Sequence, residues 1–395
     1  MNGESLAVTG TFRVRLIAFV LLAAIVAVKV VHTLPPNHLT METGPEGGSY
    51  YLDAQKYQQI LAMRGIDLQI RTTPHSLEIA RDVGDPQSGV DAGFVAQDVS
   101  NLVNAPLASI GQVELQPLFI FANAELGRRA VLDDLRGRKI VMPPSDSATT
   151  EAAIKVLELY DITPDNSSFT MMPLGDAVKQ LKDARVDAGI FMLAPENPLI
   201  RALAADSALH LVPIAEVKAI ASHLPFLRPV MLPRGIYSIA DAIPPDSTPM
   251  VAAPVGVVVR EDLHPCLVYA LLEAMAKVHR GATFLSAAGE FPTMAGSQLA
   301  IHPLAQQYYK SGVPWSYRAL PPWLASAIDT DQVELISIVL LVSFCVVTIW
   351  LADTVVVLLR AFDQSWHVAR SVVAKAPADT NSVTAHGTPD TSERT

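Results

Sequence analysis

Cysteine, charge and catalytic signatures are what this sequence has least of. Its two cysteines, Cys266 and Cys345, are isolated, and the second lies inside an apolar run, which excludes a disulfide framework. Both read as core or lipid-facing side chains. No CxxC or HExxH spacing occurs and the ten histidines are scattered, so no metal site is expected. Lys and Arg number 29 against 39 Asp and Glu, a net charge of −10. That balance excludes a nucleic-acid partner, which needs a basic stripe to engage phosphates. There is no G-x-S-x-G elbow and no P-loop, and sequence context singles out no carboxylate pair. Neither enzymatic chemistry nor a cofactor is therefore expected.

What the chain has is apolar sequence, 50% of its 395 residues against 17% charged, with long runs at both ends. Leu16 to Val28 is uninterrupted and follows Arg13 and Arg15, the pattern of a signal peptide or an uncleaved signal anchor; no clean cleavage site precedes Leu34-Pro35-Pro36, which favours the anchor. Leu335 to Ala352 carries no charge and stays apolar past Asp353 to Leu359, the roughly 20 residues that a spanning helix needs. Arg360, Arg370 and Lys375 follow it, while His32, Asp329, Asp331 and Glu334 flank the opposite ends of the two runs. The Lys/Arg bias places both termini in the cytoplasm and the main domain outside, at a cell inner membrane with the lipid bilayer as partner. The tail after Ala376 has too little apolar content to fold.

Between the runs, short β-like segments alternate with helical periodicity, which indicates an α/β fold. Strands are predicted at Leu39–Thr43, Ile66–Ile70, Val90–Val95, Leu118–Phe121, Lys139–Met142, Phe169–Met172, Val186–Met192, Leu209–Pro213 and Met250–Val259. Helices are predicted from Tyr50 to Gly65, over Thr149–Tyr160 and over Pro265–Arg280, the first with Tyr50, Ala54, Tyr57 and Leu61 on one face. Val90-Asp91-Ala92-Gly93-Phe94 recurs as Val186-Asp187-Ala188-Gly189-Ile190. The echo suggests two lobes of similar architecture, each with a loop at the carboxyl end of a strand, where open α/β sheets bind ligands; those loops are Gln97-Asp98 and Pro195-Glu196-Asn197.

Three strand-to-helix junctions carry the candidate chemistry. Gly44-Pro45-Glu46-Gly47-Gly48-Ser49 would let backbone approach a ligand and offer helix N-terminal N–H donors, with Ser49-Tyr50-Tyr51 at the same mouth. Its spacing is not that of a dinucleotide fingerprint. Thr72-Thr73-Pro74-His75-Ser76 ends a strand, with Ser76 read as a helix N-cap. Pro143-Pro144-Ser145-Asp146-Ser147-Ala148-Thr149-Thr150 opens another helix with clustered hydroxyls, donors suited to a carboxylate. A plain structural turn is the alternative at Gly44–Ser49, and a cap and nothing more is the alternative at Ser76.

At these residues the chain resembles the TAXI family of TRAP-transporter solute receptors. Thr43-Gly44-Pro45-Glu46-Gly47-Gly48-Ser49-Tyr50-Tyr51 is similar to that family's glycine-rich opening, and Thr73-Pro74-His75-Ser76-Leu77-Glu78 to its next turn. Asp85 to Val95, Asp134-Leu135-Arg136-Gly137-Arg138-Lys139-Ile140, Leu232-Pro233-Arg234-Gly235, Arg260 to Pro265 and Glu290-Phe291-Pro292 follow in order. His302-Pro303 through Tyr308-Tyr309 and Pro322-Trp323-Leu324-Ala325 resemble a subgroup that ends in a membrane helix. The resemblance implies a two-lobed type II periplasmic-binding-protein fold, flanked here by N- and C-terminal transmembrane helices. It implies capture of a small organic acid or amino acid for ion-gradient-driven uptake through TRAP-type permease subunits. Pro45, Glu46, Pro74-His75 and Ile79 depart from the family's pattern, and Glu46 would put negative charge near an anion site, which disfavours a glutamate-like ligand.

The expected organisation is an anchor over 1–33, a first lobe over 34–133, a second over 134–239, a return to the first over 240–333, a membrane helix over 334–360 and a tail over 361–395. The candidate ligand-binding residues are Thr43, Gly47, Gly48, Ser49, Tyr50, Ser76, Gln97, Ser145, Ser147, Thr150 and Asn197. A membrane-tethered sensor or scaffold without transport is the alternative that the sequence leaves open.

Overall fold

The computed structural model describes residues 36–97, 105–127, 130–319 and 325, then 344, 347–348, 351, 354–368 and 370. The chain divides into two compact units, Met1–Asp329 and Thr330–Thr395. The predicted N-terminal span, and Asp98 of the first predicted loop, lie outside the described residues, as does most of the predicted C-terminal span. Among the described residues no helix is long and apolar enough to cross a membrane. In the second unit, residues 354–368 are helical and expose Val355 to Leu359, Phe362 and Trp366.

The first unit is one α/β sheet system built twice. Strand β1 (His38–Thr43) leads through helix α1 (Ser49–Ala62) to β2 (Asp67–Thr72), then through α2 (Ile79–Gly84) to β3 (Ala92–Val95). β1 lies between β2 and β3, parallel to both. The second half repeats this: β5 (Lys139–Met142), α3 (Ala148–Leu159), β6 (Ser168–Met171), α4 (Leu174–Lys182) and β7 (Ala188–Met192), with β5 parallel to β6 and β7. Two long strands join the halves, β4 (Leu107–Asn123) and β10 (Thr248–Arg260). β4 pairs antiparallel with β10 from Leu107 to Pro117 and with β7 from Leu118 to Ala122, so it changes halves within its own length. β10 pairs with β3 at its far end and with β9 (Arg228–Leu232) at its near end, and β8 (Leu209–Leu211) adds to β4.

The pentapeptide echo is a pair of equivalent strands. Asp91 Oδ2 accepts from Thr40 N at 2.9 Å, and Asp187 Oδ2 accepts from Lys139 N at 2.8 Å. In both halves the aspartate amide bonds back to the same neighbour, Asp91 N to Thr40 O and Asp187 N to Lys139 O, each at 2.9 Å. Each carboxylate therefore fixes the register of its strand on the centre of its half. The glycines two residues on have a packing reason. A Cβ at Gly93 would stand 2.3 Å from Ile79 Cγ2 of α2, and one at Gly189 would stand 2.9 Å from Leu181 of α4.

Helix α1 buries the face that its periodicity assigns, Tyr50, Ala54, Tyr57 and Leu61, and ends before Gly65, where Ile66 N bonds Leu61 O at 3.1 Å. Tyr50 and Tyr57 pack on Phe94, with centroids 5.2 and 5.8 Å away. Burying each such ring contributes on the order of 1.5–3 kcal/mol. Helix α6 (Pro265–His279) is buried nearly all round, covering Cys266, Leu267, Val268, Tyr269, Leu271, Leu272, Ala274 and Met275. Cys266 is a buried free thiol, and Cys345 lies outside the described residues.

Candidate functional site

The two halves face one another along a cleft at the carboxyl ends of their parallel strands. The loops after β1, β2, β5 and β7 all meet there, with Gln116 of β4 on the floor, around about 50 Å³ of space that opens to solvent. None of the residues lining it is charged. Pro45, Pro74, Pro143 and Pro144 wall it, and Tyr50, Leu174, Met192 and Leu193 supply apolar surface. Glu46 is exposed and not part of the lining.

The halves also bond directly across this cleft. Ser76 does not cap its own helix, because α2 begins only at Ile79. Its Oγ instead accepts from Ala148 N, the first residue of α3 in the opposite half, at 2.8 Å. Leu77 N bonds Asp146 O at 3.0 Å, and His75 pairs with Asp146. That hydrogen bond raises the His75 pKa against a smaller opposing effect of desolvation. On the other side Ser49 Oγ accepts from Ala194 N at 2.8 Å. Asn197 Nδ2 reaches Gly47 O at 3.0 Å and Ser49 Oγ at 3.3 Å, while its Oδ1 caps helix α5 (Pro198–Ala204) through Leu199 N at 2.8 Å. Glu196 Oε1 accepts from Phe284 N at 2.6 Å.

Of the residues expected from sequence, Gly48, Ser49, Tyr50, Ser76 and Ser147 line the cleft. Gly47 and Asn197 lie at its edge through their mutual hydrogen bond. Thr43 is fully buried and its hydroxyl goes to Gly44 O at 3.0 Å. Ser145 is exposed and outside the lining. Thr150 is buried, giving its hydroxyl to Pro143 O at 2.8 Å and its amide to Ser147 Oγ at 3.2 Å. Gln97 bonds Leu77 O at 3.4 Å and faces a different pocket. Sequence reasoning did not reach Gln116 of β4, Leu174 at the start of α4, Met192 at the end of β7 or Leu193 just after it.

The two helix N-termini differ in what they leave available. At α3, Ser147 caps Thr150 N and Ser76 takes Ala148 N, so the protein itself occupies two of the first-turn amides. At α1 the N-cap is Gly48, which has no side chain to cap with. The first-turn amides of α1 therefore have no side-chain cap.

Behind the floor, Asp53, Glu114 and His279 place potential ligand atoms within 4.8 Å of one another. These atoms are engaged by the protein: Lys56 Nζ lies 2.7 Å from Asp53 Oδ1, Tyr57 Oη 2.9 Å from His279 Nε2, and Gln116 Nε2 2.6 Å from Glu114 Oε1. Burial, then Asp53, holds the Glu114 carboxyl well above its usual range, and burial lowers His279 towards the neutral imidazole. The group is a hydrogen-bonded support for α1 and Gln116.

Residues 41–311, more than half of the chain, match the NMT1-like family. The chain belongs to the NMT1-like family. Among solved structures this NMT1-like chain is similar to the periplasmic aliphatic sulphonate binding protein SsuA from Escherichia coli, at 15% identity over 61% of this chain and 73% of that one, with a TM-score of 0.39. It is similar to a protein from Bordetella bronchiseptica RB50 at 14% identity over 74% and 81%, TM-score 0.43. It is also similar to the arginine-bound form of truncated ArgBP from T. maritima at 12% identity over 61% and 96%, TM-score 0.39. At these identities and TM-scores none of the three assigns a ligand to this NMT1-like chain.

Proposed function

We propose that this NMT1-like chain is an extracytoplasmic solute-binding protein that captures a small organic acid or amino acid for TRAP-type uptake, in the manner of the TAXI receptors it resembles. The observation that carries the reading is the uncharged cleft between two equivalent halves, joined by strands β4 and β10. Such a cleft closes on a guest by hinge motion, with contacts to both halves holding it shut.

The lining narrows the guest. A multiply charged ligand would lose hydration without finding a counter-charge, which costs several kcal/mol per ion. A molecule with an apolar body and one acceptor group fits better, its acceptor at the uncapped N-terminus of α1 and its body against Tyr50, Met192 and Leu193. Ser76 competes with such a guest for Ala148 N, so binding exchanges an internal hydrogen bond for one to the ligand. The exposed apolar residues of the helix over 354–368 support a bilayer anchor at the C-terminal end. The predicted strong bias of Lys and Arg around the terminal runs supports cytoplasmic termini.

The test is ligand-dependent stabilisation of the full-length chain across a screen of monocarboxylates and neutral or zwitterionic amino acids, alongside mass spectrometry of co-purifying small molecules. A hit whose stabilisation is lost in Tyr50→Ala supports the reading. No hit and no co-purifying molecule refutes it.

A further inference from the structure

We propose a second binding site, for a small carboxylate, on the face of the crossing strands opposite the cleft, with Arg228 as its anchor. Pro254, Gly256 and Val258, alternate residues and thus one face of β10, line an open pocket of about 70 Å³ there. Gln116 at the cleft pairs with Ala253, which faces the other way. The polar groups in the pocket are Gln97, Ser109, Gln112, Arg228, Ser297 and Gln298, and no carboxylate is among the lining residues.

Arg228 is half-buried, and none of the ion pairs among the described residues includes it. Its guanidinium is held in place. Nη2 bonds Gln112 Oε1 at 3.3 Å, and Gln112 Nε2 bonds Gly296 O at 2.9 Å. A Cβ at Gly296 would stand 1.9 Å from Nη2, so the guanidinium lies directly against the glycine backbone, which adopts φ +76°. A guanidinium carries five N–H donors in a planar fork, and the hydrogen bond to Gln112 uses one of them at the long end of the range.

A purely structural Arg228 would staple segment 293–299 to β4, and one donor suffices for that. It would not require a polar pocket left in front of the remaining donors. A half-buried cation without a counter-ion is costly, and a carboxylate matches the fork in two parallel hydrogen bonds. Gln97 adds to the polarity: its Oε1 is buried and has no hydrogen-bond partner. It can turn its amide to donate to the same anion. An occupant would touch β4, β9, β10 and segment 296–299 at once, the strands that join the halves.

The experiment is calorimetric titration of the full-length chain with sodium benzoate against sodium chloride at equal ionic strength, with crystals soaked in 4-iodobenzoate to locate the site by anomalous scattering. The expected result is benzoate binding beyond chloride, weakened tenfold or more in Arg228→Gln and severalfold in Arg228→Lys, with an iodine peak in this pocket. Gln298→Ala, which removes a lining amide with no described internal bond, should also weaken binding while leaving the melting temperature unchanged. Absence of benzoate binding in the wild type, unchanged affinity in Arg228→Gln and Gln298→Ala, or an iodine peak confined to the cleft beside Ser49 would each overturn the proposal.

Discussion

Asn197 offers the sharpest handle on cleft closure, because its two ends serve different equilibria. Its Oδ1 caps α5 within the second half, and its Nδ2 bonds Gly47 O and Ser49 Oγ of the first. Replacement by alanine removes the cap whether the cleft is open or closed, at about 1 kcal/mol of folding stability. The cross-cleft bonds exist only when it is closed. Losing one good bond and one long one weakens the closed form by about 1 kcal/mol, roughly fivefold in the open–closed ratio. Spin labels at the exposed positions Met63 and Leu159, one in each half, would report that ratio by pulsed electron resonance in a chain whose own cysteines are replaced by serine. Asn197→Ala should populate longer distances. Asn166→Ala, which removes a turn inside the second half alone through Thr163 N and Asp161 O, should lower stability and leave the distances unchanged. Combining Ser49→Ala with Asn197→Ala should give less than the sum, since the two side chains share a bond. Identical distance distributions in Asn197→Ala and the wild type would refute the assignment of these bonds to closure.

Closure should also depend on pH through His75. Asp146 raises its pKa, so the pair holds the halves together below the ordinary histidine range and weakens as pH rises through the raised value. The label distances should lengthen at alkaline pH in the wild type and lose that pH dependence in His75→Gln. A buried acid acts on folding itself: burial, then Asp82, pushes Glu42 up to about 7 from 4.5. The folded state therefore binds the extra proton, and stability falls as pH rises from 4.5 towards 7. Glu42→Gln should flatten urea-unfolding stability over that window by at most about 3 kcal/mol; an unchanged slope would count against the shift. Gly93→Ala should cost about 1–3 kcal/mol by overpacking against Ile79, and Gly189→Ala less, since the Cβ at that site meets Leu181 and Phe191 side chains at 2.9 Å. Equal, negligible losses in chemical denaturation would show that the strand-to-helix distances are looser than described.

What the sequence made legible, and what it hid, follows from how local each signal is. Strands β1, β2 and β5 and helix α1 carry their periodicity within one short window, and the junctions 44–50, 73–76 and 143–150 announce themselves by glycine, proline and hydroxyl clusters. All three reach the cleft. The first eleven residues of β4 and all of β9 carry no such signal. β4 runs through Ser109, Gly111, Gln112, Glu114 and Gln116, and β9 contains Pro229. These stretches are strands because β10, more than a hundred residues after β4, supplies their hydrogen-bond partners, with two shifts of register along the way. Ser76 shows the same limit at a single residue. Its neighbours make it an N-cap in sequence, but its oxygen accepts from the first amide of α3 in the opposite half, a helix whose own N-cap is Ser147. The echo of Val-Asp-Ala-Gly was legible as repetition and not as mechanism. Only the paired bonds from Asp91 to Thr40 and from Asp187 to Lys139 reveal why those residue types recur: each half needs its third strand pinned beside its first, and a glycine where a helix comes too close for any side chain. Two halves built to one plan then present their loops to each other across a shared pair of strands, and that geometry makes a closing cleft the natural place for a guest.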